Sequence, residues 1–206
     1  GANLTGAVLT GATLIETALN GANFTNANLT KVDLSSANLT DANFTGTNLT
    51  DTNFRFANLN RANLTGADFN GANLSSQNLT GANLTNANLA DDNLNGTALN
   101  GGNLTNANLT NGKLSSANLN GANLYGTNLT NADFTNANLN GVDFTNAKPD
   151  IEKPILFSGA LLTNANFTNV NLSKTIFNNA DLSGTVFFNT TLENASLTNS
   201  LISSTT

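Results

Sequence analysis

Ala22-Asn23-Phe24-Thr25-Asn26 runs directly into Ala27-Asn28-Leu29-Thr30-Lys31, and this five-residue beat decides the fold. Every fifth residue from Leu4 to Phe144 is Leu or Phe. Two positions before each centre stands mostly Ala (Ala2, Ala7, Ala12, Ala37), and one position before it mostly Asn or Asp (Asn3, Asp33, Asn38). Thr, Ser or Asn usually follows the centre, and then often Gly or Asn. The unit is Ala-Asn/Asp-Leu/Phe-Thr-Gly/Asn.

Neither regular element accommodates this period. At 100° per residue a step of five drifts about 140° around a helix and spreads Leu over all faces. In one straight strand an odd period sends successive Leu residues to opposite faces. The chain must therefore turn once per repeat. Ala and Leu, two apart, share a face of a short extended segment, and Asn, Asp and Gly suit the corner. Coils stacked about 4.8 Å apart pair their backbones and bury Ala and Leu in one continuous core. Four sides, or twenty residues per coil, place Phe24 over Phe44, Lys31 over Asp51 and Asp41 over Arg61. Exposed pairs of this kind indicate register more than stability.

These residues resemble the pentapeptide repeat family, whose unit is the same Ala-Asn/Asp-Leu/Phe. The resemblance covers nearly the whole chain. It implies an all-β fold, a right-handed four-sided (quadrilateral) parallel β-helix solenoid, here of about ten coils. It also implies cyanobacteria or the chloroplast lumen as a setting. The expected compartment is cytoplasm or thylakoid lumen/periplasm.

The beat breaks once. After Phe144 the next centre falls on Pro149, inside Ala-Lys-Pro-Asp-Ile-Glu-Lys-Pro, and the rhythm resumes in a new phase at Phe157. The expected organisation is a first β-helical block over 1–147, an inserted loop over 148–156, and a continuation of the same domain over 157–206 with a short polar tail. Proline cannot donate to an inter-coil ladder, so Pro149 and Pro154 belong at the side of the rod. With Lys148, Asp150, Glu152 and Lys153 they form the one charged, irregular protrusion, and loops on repeat scaffolds often carry recognition. Beyond the loop Phe alternates with Leu, which places aromatic centres on two opposite sides as core. Gln77 and Asp92 occupy the inward slot usually held by Ala, where a polar group needs a hydrogen-bond partner.

Composition excludes much chemistry. With no His and no Cys there is no usual general base, no thiolate and no disulfide. Ser and Thr follow the repeat instead of converging on a base. Asp91 with Asp92, and Asp150 with Glu152, lack EF-hand spacing. No catalytic, cofactor-binding or metal-binding residues are expected, and no enzyme. Thirteen acidic against seven basic residues give a net charge of −6, which argues against direct nucleic-acid binding and suits a basic partner surface. No apolar run is long enough for membrane insertion. Asn-Leu-Thr sequons arise from the repeat itself and favour a compartment without glycosylation machinery.

What remains is surface. In twenty-residue register Thr5, Thr25, Thr45, Thr65, Thr85, Thr105, Tyr125 and Thr145 line one outer face, beside Asn3, Asn23, Asn43, Asn63, Asn83, Asn103, Asn123 and Asp143. The expected function is a structural scaffold that presents a rigid rod to a protein partner. Two alternatives stand beside it. The family resemblance implies an acidic DNA mimic that binds a type II topoisomerase (gyrase), and the threonine ladder suggests ice binding. Both ends of the rod read as uncapped, so end-to-end self-association or a larger assembly is expected.

Overall fold

The computed structural model describes residues 1–203. The chain winds as an all-β solenoid in which parallel bridges join each residue to the one twenty positions later, as in Asn3↔Asn23, Asn23↔Asn43 and Asn43↔Asn63. One coil therefore takes four repeats, and each repeat contributes one side and one corner.

Why this sequence coils follows from where its five backbone N–H groups go. The Leu or Phe amide donates to the next coil (Leu64 N–H to Asn83 O, 2.7 Å), and the Asn amide donates to the previous one (Asn63 N–H to Ala42 O, 2.9 Å). The fifth residue also donates forward (Gly66 N–H to Thr85 O, 2.9 Å). The Ala amide closes the corner on the preceding centre (Ala67 N–H to Leu64 O, 3.0 Å). That leaves the Thr amide, which donates to the Oδ1 of Asn two residues earlier, as Thr25 does to Asn23 at 3.0 Å. The Asn or Asp before each centre is thus a built-in acceptor, in the manner of an Asx turn.

The fifth residue carries a positive φ at nearly every corner, from Gly6 (65°) through Asn26 (56°) to Asn199 (57°). Glycine reaches this region at no steric cost and Asn tolerates it better than most residues, which accounts for the preference at that position.

The core is a dry column of centres flanked by Ala. Leu64, Leu84 and Leu104 are wholly buried in one stack, as are Ala62, Ala82 and Phe24. Phe24 and Phe44 lie parallel with centroids 4.9 Å apart. Beyond residue 133 two aromatic stacks face each other across the tube. Phe134, Phe157 and Phe177 form one, and Phe144, Phe167 and Phe187 the other. Edge-to-face contacts such as Phe144–Phe157 at 5.8 Å lock them together, a preferred aromatic geometry.

Most inward threonines satisfy themselves in the same way, while Thr17 in the first coil turns to the Leu14 carbonyl three residues back. Thr47, Thr52, Thr97 and Thr127 donate their hydroxyls to the carbonyls of Phe24, Leu29, Leu74 and Leu104, each 23 residues back, at 2.7–2.9 Å. The charge columns are less uniform than expected. Arg61 grips Asp41 with two bonds of 2.8 and 2.7 Å and lowers the Asp41 pKa. Lys31 and Asp51 share a column but form no ion pair, a correction to the expected pairing. A lysine ammonium is a flexible, well-hydrated point charge, whereas the planar Arg fork matches a carboxylate.

Candidate functional site

The threonine face is a hydrogen-bonded ladder. Thr25 donates to Asn23 Oδ1 at 2.6 Å and accepts from Asn43 Nδ2 at 3.1 Å, and Thr45 likewise links Asn43 and Asn63. The pattern continues through Thr65, Thr85 and Thr105. Thr5 donates to Asn3 at 2.7 Å. At Tyr125 no Thr hydroxyl is present and the phenol ring stands 42% exposed, while Asn123 still accepts its amide. Thr145 resumes the ladder with Asp143 and Asn166. Apart from Asp143 the face is uncharged, and from Asn23 to Thr105 it is half-buried and held at fixed spacing before anything touches it.

The segment 148–156 adds three residues to one coil, since the bridge register passes from Asn128↔Lys148 to Asp133↔Leu156. The excess is confined to a turn closed by Lys153 N–H to Asp150 O at 3.1 Å, with Asp150 Oδ1 accepting the Glu152 amide. Ile155 is fully buried and Leu156 is back in the ladder, so the protrusion is shorter than the loop expected from sequence. Pro149 and Pro154 flank the turn half-buried. Glu152 holds Lys174 of the next coil with both carboxylate oxygens at 3.1 Å.

The two polar residues in inward slots each capture a rung of the ladder. Gln77 donates from Nε2 to Ser75 O at 3.1 Å, the oxygen that should receive the Phe56 amide. Asp92 Oδ1 accepts Gly71 N–H at 3.0 Å, which elsewhere would reach the next coil. Gln77 Oε1 and Asp92 Oδ2 remain buried without partners. Burial pushes the Asp92 pKa up to about 7, assisted by Asp68 and Asp91, although the Gly71 and Ala72 amides oppose it. Elsewhere carboxyls are held low by local donors, Asp33 by Ser35 and Asp181 by Ser183.

Next to Gln77 the structure assembles a group that repeat reading missed. Arg55 lies 4.7 Å over the Phe56 ring, and Phe56 is 71% exposed at a φ of 62°. With Asn53, Asn73, Ser75, Ser76 and Gln77 they line a cleft of about 360 Å³ between two coils. The available signal was an aromatic ring in a corner position otherwise given to Gly and small or polar residues.

Among the described residues no cluster of acidic side chains is placed to hold a metal ion, and no helix is long and apolar enough to cross a membrane. No curated protein matches the chain. Among solved structures the chain is similar to HetL, a pentapeptide repeat protein involved in heterocyst differentiation regulation from the cyanobacterium Nostoc sp. strain PCC 7120. That similarity is 27% identity over 97% of this chain and 88% of HetL, with a TM-score of 0.45. A pentapeptide repeat protein from the Arabidopsis thaliana thylakoid lumen is 32% identical over 50% of this chain and 68% of its own, with a TM-score of 0.34. QnrB1, a plasmid-mediated fluoroquinolone resistance protein, is 19% identical over 94% of this chain and 93% of its own, with a TM-score of 0.32. The family model for pentapeptide repeats matches in eight copies, at residues 2–41, 37–75, 57–91, 78–115, 93–124, 113–148, 156–179 and 165–203; the chain belongs to the pentapeptide repeat family.

Proposed function

We propose that the chain is a non-enzymatic scaffold, a right-handed rod of about ten coils that presents its outer surface to a protein partner. The observation that carries this reading is the Asn–Thr ladder from Asn23 to Thr105, in which outer side chains are bonded to one another along the rod. A surface ordered in advance loses little side-chain entropy on binding, so modest contacts suffice for affinity. Two regions fit the role of contact surface. One is the threonine face with Tyr125, and the other is the turn around Lys148–Pro154, braced by Glu152 and Lys174.

The test is capture of one partner by a panel of rods. Thr65 and Thr85 are replaced by Lys in one, Tyr125 by Ala in a second, and residues 150–152 are deleted in a third, alongside a control altered on the remaining sides. Loss of the same partner in one or two of these rods, with the control unaffected, is the expected result. Equal capture by all of them would remove the surface-presentation reading.

A further inference from the structure

The cleft between Phe56 and Gln77 is where the coil departs most from its repeat. Four backbone amides that the repeat normally seats on the neighbouring coil make no close bond there (Phe54 to Asn73 O, Phe56 to Ser75 O, Asn73 to Thr52 O and Asn78 to Ala57 O), although Asn53 still pairs with Asn73 and Asn58 with Asn78 across the two coils. The cause is Gln77. Its side chain is too large for the slot that Ala57 occupies one coil earlier, and its Nε2 takes the Ser75 carbonyl in place of the Phe56 amide. The ladder between the two coils loosens locally, and the Phe56 amide is left without a close partner.

Three observations point to what would fill the cleft. Gln77 is 6% exposed and its Oε1 has no partner, so a buried acceptor lacks a donor. Among the described residues Arg55 forms no ion pair, although the protein carries a net charge of −6. Asp33, on the same side one coil earlier, is already engaged by Ser35 and Asn53. No acidic residue lines the cleft, and Ser75, Ser76, Asn53 and Asn73 supply polar groups around it. Phe56 in turn is held in a left-handed conformation that bulky side chains rarely adopt, with its ring supporting the Arg55 guanidinium. Strain, a loosened ladder and an unpartnered acceptor thus coincide at one place.

We propose that this cleft binds an acidic side chain of a protein partner, with the carboxylate on Arg55 and the amide N–H of the same segment on Gln77 Oε1. The guanidinium offers a planar fork suited to a carboxylate, and the Phe56 amide, which makes no close backbone bond, adds a neutral donor. The requirement for an N–H donor beside the anion selects a peptide over a simple anion. The inference rests on the scaffold reading for the nature of the partner, but not on which outer face that partner covers.

The experiment is a titration of the isotope-labelled full chain with acetyl-Ala-Glu-Ala-amide, followed by amide and side-chain NMR. The expected result is saturable shifts at Phe54, Phe56 and the Gln77 carboxamide, with a Kd on the order of 1 mM for so small a probe. Arg55→Gln weakens binding at least about tenfold. Gln77→Ala restores the four rungs, raises the thermal midpoint and abolishes binding. The Gln counterpart of the peptide and inorganic phosphate serve as controls and bind at least about tenfold more weakly. No saturable shift, equal binding of either control, or full binding by Gln77→Ala would each overturn the assignment. A site that fails in this way while partner capture still maps to one outer face leaves the scaffold reading standing.

Discussion

The Asp92 carboxylate takes the Gly71 amide at 3.0 Å, and in doing so replaces the backbone rung that Gly71 would make to the next coil. In the same column Thr52 solves the inward slot differently, donating its hydroxyl to the Leu29 carbonyl at 2.9 Å. An ionised carboxylate has no proton to donate, so the second Asp92 oxygen is left buried and unpaired. A protonated Asp92 regains a donor in a slot where threonine uses one.

That relationship makes stability depend on pH. Burial raises the folded-state pKa of Asp92 to about 7 from an ordinary value of 3.8, so between those values the folded chain holds a proton that the unfolded chain has released. Stability contributed by this group is present below about pH 4, declines as pH rises to about 7, and is flat above. The full decline is on the order of 4 kcal/mol. Urea unfolding across that range should show the slope in wild type and its loss in Asp92→Asn. A parallel pH profile in both would contradict this account.

Phe56 sits in the left-handed corner position at a φ of 62°, where Asn is used at many other corners. Phe56→Asn should therefore stabilise the rod by about 1 kcal/mol, because Asn tolerates this region and Phe does not. Chemical denaturation measures the gain, and a loss of stability would show that the exposed ring contributes more than its strain costs.

Thr97 is fully buried and its hydroxyl reaches the Leu74 carbonyl at 2.7 Å. Thr97→Val keeps the shape and removes the donor, and Leu74 O retains the Gln77 amide at 3.1 Å. The expected cost is about 1 kcal/mol, that of one buried neutral hydrogen bond. A cost three times larger would mean that the hydroxyl positions the two coils as well as bonding them.

Phe157 stacks on Phe134 at 5.3 Å and on Phe177 at 5.2 Å, and meets Phe144 and Phe167 edge-on. Phe157→Ala should cost about 3–5 kcal/mol through the cavity it opens. Phe157→Leu, the residue found at the same position in Leu114 and Leu94, should cost about 1 kcal/mol. Thermal unfolding distinguishes the two, and equal costs would indicate that ring contacts rather than volume hold this part of the core.

Hydrogen exchange provides an independent view of the ladder. Amides of Leu64, Leu84 and Leu104, each bonded to the next coil at 2.7 Å, should exchange slowly. Those of Phe54, Phe56, Asn73 and Asn78 should be among the fastest in the middle of the rod, because they make no close bond to the neighbouring coil. Slow exchange at Phe56 would show the cleft to be closed in solution.

The five-residue beat by itself determined which side chains face inward and that the backbone must turn after each unit, because those consequences act over two or three residues and repeat identically. It did not show why Asn precedes each centre, since that role requires an acceptor for the Thr amide, and Lys31 with Asp51 shows that a shared column does not make an ion pair. Nor did it show that only a three-residue excess leaves the coil near Asp150, or that Gln77 and Asp92 break rungs of the ladder. Only the tertiary structure decided these. The Thr amide finds its acceptor two residues away, but needs one because no neighbouring coil supplies it; the other outcomes each depend on a residue 20 or more positions away, whose distance is set by how coils stack. A periodic chain makes every local unit alike, and the differences that create a site arise where one side chain fails to fit its neighbour in the next coil.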